Sequence, residues 1–205
     1  MIGIMDYGIG NIGSIKNMLN KIGERGVVFL SKPSDFDTVN KIILPGVGSF
    51  DQGMDLLNSS GLRAALDENV LVLHKPILGI CLGMQMLGKA SEEGRNPGLG
   101  YIDFVCKRFS FSACDLKIPH MGWDYVNIEN PDSCMAHEIG ERPRFYFVHS
   151  YHAVCADDKD VLFSCDYGYT FTAAVQHDHI YGTQFHPEKS HVFGMKLLKN
   201  FADRS

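Results

Sequence analysis

The stretch Pro76-Ile-Leu-Gly-Ile-Cys81-Leu-Gly83-Met-Gln85-Met-Leu-Gly88 joins an apolar run directly to a cysteine and then to a helical pattern. Residues 77–80 predict a buried strand, and residues 82–89 predict a helix with almost no loop between them. Residues 79–83 read G-x-C-x-G, the cysteine form of the nucleophile elbow. Such a turn would set the Cys81 thiol at a helix N-terminus, where partial positive charge favours the thiolate. The alternative is a buried structural cysteine that packs as a small hydrophobe.

A second stretch, Gln184-Phe-His186-Pro-Glu188-Lys-Ser190, offers the groups that a cysteine nucleophile needs. Residues 180–185 predict a strand that ends at His186. In extended chain His186 and Glu188 would project to the same side, and Pro187 should keep the segment out of a helix until Ser190, a candidate N-cap. These residues predict a triad in which Cys81 attacks, His186 carries the proton and Glu188 orients the imidazole.

These three residues resemble the Cys-His-Glu triad of the class I glutamine amidotransferases. Over essentially the whole chain, the sequence is similar to the glutaminase subunit of imidazole glycerol phosphate synthase. That resemblance is carried by four further stretches: Asp6-Tyr-Gly-Ile-Gly-Asn11, Pro45-Gly-Val-Gly48, Pro119-His-Met-Gly-Trp123 and Phe145-Tyr-Phe-Val-His-Ser-Tyr151.

The resemblance implies an enzyme that hydrolyses L-glutamine through a thioester on Cys81 and needs no metal or other cofactor. It also implies a heterodimer with a (β/α)8-barrel cyclase. That partner would combine the ammonia with a ribonucleotide to give imidazole glycerol phosphate and aminoimidazole carboxamide ribotide in histidine biosynthesis.

The resemblance also assigns contacts to single residues. Contacts with the substrate glutamine are implied for Gln85, Glu93, His149, Ser150 and Tyr151, and contacts with the partner for Asn11, Met121, Trp123 and Lys189. Taken alone, Gln85 would be a solvated helix residue, Glu93 a loop charge, and Trp123 a core residue in a glycine-containing turn.

The segment Pro45-Gly-Val-Gly48 follows the third predicted strand and should lie beside the elbow strand. A tetrahedral intermediate on the glutamine carbonyl needs two N–H donors. The Leu82 N–H, directly after the nucleophile, is expected to supply one, and the peptide of Val47 or Gly48 the other. The same residues are also typical of a simple strand-to-helix turn without a role in catalysis. One segment can be both a turn and a donor to the oxyanion.

The first half of the chain alternates short strands with helices, which predicts parallel pairing by right-handed crossovers. Past residues 94–100 the helical periodicity fades and β-rich runs follow. The expected fold class is therefore α/β: a doubly wound, flavodoxin-like, mainly parallel sheet with antiparallel strands added in the C-terminal half. We expect a single domain over residues 1–205, because no long linker, repeat or low-complexity segment interrupts the sequence.

Composition narrows the function classes. Hydrophobic residues make up 45% of the chain and charged residues 21%, as in ordinary globular proteins. A net charge of −5 gives no basic face, so nucleic acid is not expected as a partner. No run approaches the ~20 apolar residues of a membrane span, and no signal peptide is apparent. Without C-x-x-C spacing, a cytoplasmic location with reduced thiols is expected for the six cysteines: Cys81, Cys106, Cys114, Cys134, Cys155 and Cys165.

Gly8-Ile-Gly-Asn-Ile-Gly13 follows a strand and opens a helix, as in the dinucleotide-binding fingerprint. An NAD-dependent oxidoreductase would also need an acidic residue at the end of the second strand, where this chain has Leu30-Ser-Lys32. Tight packing of helix on strand is the alternative role for the glycines. An α/β-hydrolase would place its acid before its histidine, which is the reverse of the order found here.

The choice of pathway stays open at this point. Many histidine-pathway members carry arginine where this chain has Gly13. Close paralogues that supply ammonia to sugar-modifying enzymes of surface-polysaccharide synthesis also resemble this sequence and are the alternative.

Overall fold

A computed structural model describes residues 1–111 and 116–205, so Cys114 lies outside the described residues. The strands are β1 (Ile2–Met5), β2 (Val27–Leu30), β3 (Lys41–Gly46), β4 (Ile77–Cys81), β5 (Ala90–Ser91), β6 (Phe104–Arg108), β7 (His120–Ile128), β8 (Arg144–His149), β9 (Tyr151–Cys155), β10 (Val161–Asp166), β11 (Thr170–His177) and β12 (Ile180–Thr183). The helices are α1 (Ile12–Lys21), α2 (Phe50–Ser59), α3 (Arg63–Asp67), α4 (Leu82–Leu87) and α5 (His191–Arg204). A π-helical turn, Glu68–Val72, extends α3.

The strands form one twelve-stranded sheet in the order β2-β1-β3-β4-β12-β11-β10-β7-β8, with β5, β6 and β9 attached at its side. β2, β1, β3, β4 and β12 pair in parallel, and β4 lies between β3 and β12. The carboxyl ends of β3, β4 and β12 therefore meet at one edge of the sheet, where open α/β sheets place their ligand sites. This arrangement confirms the predicted doubly wound, mainly parallel half.

The second half adds antiparallel strands, also as predicted. β11 pairs with β12, β10 with β11, β7 with β10 and β8 with β7. Along β7 the exposed side chains alternate with inward-facing ones, so that Met121 and Trp123 lie on the outer face and His120 on the inner one.

Two apolar cores cover the two faces of the sheet. One core contains Ile15 and Leu19 of α1 with Leu197, Leu198 and Phe201 of α5, and the other contains the buried side chains of α2, α3 and α4. α4 packs against β3 and β12 because it starts directly at the end of β4. The helix after the cysteine is therefore fixed by the core.

Two local predictions of the sequence are wrong at the end of β12. The strand stops at Thr183, and Pro187–Lys189 forms a 3₁₀ turn instead of extended chain. Proline at the first position of a turn is compatible with helical dihedrals, so Pro187 starts this turn and does not prevent it. Ser190 is the N-cap residue of α5, but its hydroxyl donates to the His186 carbonyl at 2.6 Å and accepts from the Tyr146 N–H at 3.0 Å.

Trp123 is also misplaced by the sequence prediction. It lies within β7 and not in a turn, and 38% of its surface is exposed. The preceding Gly122 adopts a φ of 141°, but this does not interrupt the pairing of β7 with β8.

The glycines of residues 8–13 do not all serve the expected tight packing of helix on strand. Gly10 has a φ of +108° and approaches Pro45 so closely that an added Cβ would lie 2.9 Å from the Pro45 Cβ. A Cβ added to Gly13 would lie more than 4 Å from any neighbouring atom, so close packing of α1 on the sheet does not require a glycine there. The dinucleotide fingerprint needs that close contact at its third glycine, and the structure therefore removes the main support for an NAD site.

Among residues 1–111 and 116–205, none of the helices has both the length and the apolar character that crossing a bilayer requires.

Candidate active site

The sharp turn between β4 and α4 holds the candidate nucleophile. Cys81 has φ 56° and ψ −112°, a strained combination for a residue with a side chain. A Cβ on Gly83 would lie 1.9 Å from the Leu44 carbonyl oxygen, and one on Gly79 would lie 2.7 Å from the Gly83 carbonyl oxygen. The two glycines therefore allow β4, α4 and β3 to approach closely enough for the elbow to form, as predicted.

His186 and Glu188 meet as a buried pair next to the elbow. His186 Nδ1 lies 2.8 Å from Glu188 Oε1, and their side chains are 3% and 1% exposed. A carboxylate only accepts hydrogen bonds, so the Nδ1 of His186 carries the proton. The contact follows the prediction, although the 3₁₀ turn brings it about. The other carboxylate oxygen, Glu188 Oε2, is buried and meets no donor among the described residues.

The electrostatics of this group favour a protonated imidazole. Burial lowers the pKa of His186, but hydrogen bonds to Cys81 and Glu188 together with their negative charge outweigh it and raise the pKa to about 9. The imidazolium is therefore present below about pH 9 and is lost as the pH rises through that value. Since Nδ1 of His186 is hydrogen-bonded to Glu188, the other ring nitrogen, Nε2, is the one that contacts the Cys81 sulfur.

A pocket of about 350 Å³ opens over Cys81. It brings together every residue that the sequence assigned to the oxyanion or to glutamine, namely Val47, Gly48, Leu82, Gln85, Glu93, His149, Ser150 and Tyr151. Pro119 and Val148 line it as well and were not predicted. A depression of about 420 Å³ along α5, beside His137 and Glu138, is larger, but it contains none of the triad residues.

Comparison with known proteins agrees with this geometry. The profile described as "Glutamine amidotransferase class-I" matches residues 4–204. The chain belongs to the class-I glutamine amidotransferases.

Relatives of the amidotransferase are similar over nearly their whole lengths. This chain is 51% identical to imidazole glycerol phosphate synthase subunit HisH 2 of Pseudomonas aeruginosa, and the alignment covers 99% of both chains. It is 50% identical to subunit HisH 2 of Methanococcus maripaludis, covering 98% of both chains. Subunit HisH of Leptospira interrogans is 45% identical over 98% of this chain and 99% of that one.

Solved structures share the fold at low sequence identity. A glutamine amidotransferase crystal structure superimposes with a TM-score of 0.75 at 18% identity, covering 98% of this chain and 97% of that one. The structure of PurLQS from Thermotoga maritima gives a TM-score of 0.72 at 21% identity, covering 98% of this chain and 97% of that one.

Gln184 is a buried residue of the amidotransferase site that sequence reasoning missed. Its Nε2 lies 3.9 Å from the Cys81 sulfur, and its Oε1 accepts from Gln85 Nε2 at 3.0 Å. The second contact fixes the orientation of the Gln184 amide and so directs its N–H group at the sulfur. The sequence offered one signal, a position directly before Phe185 and His186 at the end of the predicted strand.

Gln85 and Glu93 both reach the pocket, but through different contacts. Gln85 is 5% exposed, so it is not the solvated helix residue that its position alone suggested. Besides Gln184, its Nε2 donates to the Tyr151 carbonyl at 3.3 Å. Glu93 accepts from the Phe50 N–H at 2.8 Å and so anchors the start of α2, directly after the loop that contains Val47 and Gly48.

The four residues assigned to a partner interface lie on the surface. Met121 is 62% exposed, and Asn11 and Lys189 are exposed as well. Trp123 stacks on the His191 ring with centroids 5.2 Å apart and an interplanar angle of 5°. Exposed aromatic and sulfur-containing side chains at adjacent outward positions of one strand are typical of protein interfaces.

No group of three or more histidine, cysteine, aspartate or glutamate side chains in the described part of the chain is arranged to hold a metal ion.

Proposed function

We propose that this amidotransferase hydrolyses L-glutamine with Cys81, His186 and Glu188 as its triad. The Cys81 sulfur attacks the side-chain amide carbon, and His186 gives its proton to the departing nitrogen, which leaves as ammonia. The resulting glutamyl thioester is then hydrolysed: His186 takes a proton from water, the hydroxide attacks, and glutamate leaves from the sulfur. The strained Cys81 elbow beside the buried His186–Glu188 pair is the observation that carries this proposal.

Two backbone N–H groups would hold the negative oxygen of the tetrahedral intermediate. Leu82 opens α4, whose first N–H groups are free of helical partners. Gly46 pairs with Cys81 in the sheet, so the peptides of Val47 and Gly48 follow directly beside the nucleophile. These positions support the assignment of one donor to Leu82 and the other to Val47 or Gly48, and of glutamine contacts to the remaining pocket residues.

We further infer a heterodimer with a (β/α)8-barrel cyclase, as the names of the relatives suggest a synthase with more than one subunit. Free ammonia becomes protonated in water, so direct transfer to a second active site preserves it as a nucleophile. The surface that carries Asn11, Met121, Trp123 and Lys189 is the proposed docking face. The cyclase would make imidazole glycerol phosphate and aminoimidazole carboxamide ribotide of histidine biosynthesis in the cytoplasm. This chain, a single amidotransferase domain with no cofactor, would supply the ammonia.

One observation favours a second candidate. Two of the similar relatives are named HisH 2, which indicates that their organisms carry more than one such subunit. A paralogue could supply ammonia to a sugar-modifying enzyme of surface-polysaccharide synthesis with the same glutaminase site.

Rescue of a histidine auxotroph distinguishes these acceptors. We expect this chain, expressed with the cyclase encoded beside it, to restore growth without histidine to a strain lacking its own glutaminase subunit. Cys81→Ala in the same plasmid is the control and should fail when ammonia is scarce. Failure of the wild-type pair, when both proteins accumulate and hydrolyse glutamine, would reject histidine biosynthesis in favour of the paralogous role.

A further inference from the structure

A chain of side-chain contacts runs from β7 to the wall of the glutamine pocket. His120 Nε2 lies 3.4 Å from Asp124 Oδ2, and His120 Nδ1 lies 3.1 Å from His149 Nε2. His149 Nδ1 in turn lies 2.8 Å from the Tyr151 carbonyl oxygen. His120 and Asp124 lie four positions apart on the same face of β7, with Gly122 between them.

The contacts of this chain need more protons than two neutral rings supply. Its ends, the Asp124 carboxylate and the Tyr151 carbonyl, accept hydrogen bonds and cannot donate them. Three contacts therefore need three ring N–H groups, whereas two neutral imidazoles carry two. With two protons the chain loses one of the three contacts. A third proton, placed on His120, satisfies all three contacts at once.

The surroundings place that third proton on His120 and not on His149. Burial lowers the pKa of His149 to about 3, against the hydrogen bond to Tyr151. Burial also lowers the pKa of His120, and the neighbouring Asp124 carboxylate offsets this only in part, so His120 takes the third proton below the usual titration range of an imidazole. The titratable groups facing the two rings from other elements are Tyr167, which stacks on His120 with ring centroids 4.1 Å apart, and His152 and His186, whose positive charge disfavours a charged His149.

The far end of the chain fixes part of the pocket wall. The Tyr151 carbonyl accepts from His149 and also from Gln85, so both of its lone pairs are used. Ser150 and Tyr151 line the pocket between β8 and β9, and the peptide that carries this carbonyl cannot turn without breaking a buried hydrogen bond.

We propose that His120 is a positioning residue of the glutamine site: its donation to Nε2 holds the His149 ring against the Tyr151 carbonyl and thereby fixes the Ser150–Tyr151 wall, with Asp124 as the proton-linked end of this relay of contacts. The inference rests on the proposed glutaminase function. The Asp124 side chain is 35% exposed and lies on the His120 face of β7, opposite Met121 and Trp123.

Nitrogen NMR of the histidine rings in the full chain tests the relay without reference to activity. We expect His149 in the Nδ1–H tautomer in the wild type. His120→Phe removes the donor to His149 Nε2, so the Nε2 resonance should move to the position of an unbonded ring nitrogen while Nδ1 keeps its proton. The amide nitrogen of His120→Asn can replace the His120 Nδ1 and should preserve the Nε2 resonance. Circular dichroism confirms that both variants are folded.

Kinetics of the assembled complex provide the functional readout. We expect His120→Phe to raise KM for glutamine about five- to tenfold, the effect of one lost hydrogen bond, with kcat changed less than about twofold. His120→Asn should stay near the wild type. In the wild type, KM should rise as the pH rises through the titration of His120, because the third proton is then lost.

Asp124→Asn is a second variant that keeps the test decisive if His120→Phe fails to fold. Its amide can donate to a neutral His120, which satisfies all three contacts without the third proton, so the pH dependence of KM should disappear. The exposed His177 is the control, and His177→Asn should leave the profile unchanged. An unchanged KM in folded His120→Phe, or a wild-type pH profile in Asp124→Asn, would overturn the relay. A relay intact by NMR in a wild-type complex that does not hydrolyse glutamine would instead reject the proposed function.

Discussion

Replacing Cys81 with alanine will reduce glutamine-dependent synthesis by the complex about 10⁴-fold or more, while synthesis from added ammonia continues at the wild-type rate. In the proposed function the triad residues only release ammonia, and the acceptor reacts in another subunit. Removing the sulfur leaves the elbow in place, because its geometry depends on Gly79 and Gly83 and on the packing of α4. The proposed docking face lies elsewhere on the surface, so we expect it to be unaffected.

Both activities are measured on the same purified complex, with glutamine or with an ammonium salt at a pH where ammonia is present. Cys155→Ala is the matched control, since this half-buried thiol lies outside the pocket, and it should retain both activities. A folded, partner-bound Cys81→Ala complex that has lost ammonia-dependent synthesis as well would contradict the division of labour between the subunits.

The second large effect concerns control of the glutaminase by its partner. A glutaminase that ran without an acceptor would waste glutamine, so we expect the isolated chain to be very slow and the complex with bound acceptor to be at least about 10²-fold faster. The Val47 peptide is the expected switch, because it lies between Gly46 and Gly48 and follows the strand that pairs with Cys81. Gly48 has a φ of +95°, which glycine adopts without strain, so the peptide can reverse at small cost.

Val47→Pro removes the N–H donor and should abolish most of the acceleration while glutamine still binds. The loss of one oxyanion donor costs about 10²–10³ in rate. Val47→Ala is the matched control: it keeps the N–H and changes only a side chain that is 42% exposed, so it should be accelerated like the wild type. Steady-state glutaminase rates of the chain alone, with the partner, and with the partner and acceptor check this. Equal rates in all three conditions would contradict the switch, because coupling requires a ligand that distinguishes the two states of the loop.

The sequence predicted those parts of the site that depend on local pattern. The G-x-C-x-G turn is specified by residues next to one another, so the elbow at Cys81 could be predicted together with its strand and helix. The alternation of strands and helices likewise predicted the parallel half of the sheet. The pairing of His186 with Glu188 was correct for a partly wrong reason, since a two-residue separation brings these side chains together in a 3₁₀ turn as well.

The residues that escaped prediction act across the fold. Gln184 reaches a sulfur 103 positions earlier in the chain, and His120 meets a ring 29 positions later. Neither contact leaves a periodic or spaced pattern in the sequence. Trp123 was placed in a turn because glycine precedes it, yet pairing with β8 overrides that local preference and extends β7 through Gly122.

The identity of the nucleophile is tested most directly by peptide mapping after brief treatment with an electrophilic glutamine analogue. The pocket presents Cys81 to such a molecule beside the His186 imidazolium. Burial instead raises the pKa of the Cys106, Cys155 and Cys165 thiols, which keeps them protonated and unreactive. We expect the label on Cys81, with excess glutamine slowing its attachment. Labelling of Cys106 or Cys155 at the same rate, or labelling of Cys81 that glutamine does not slow, would contradict the assignment of Cys81 as the nucleophile.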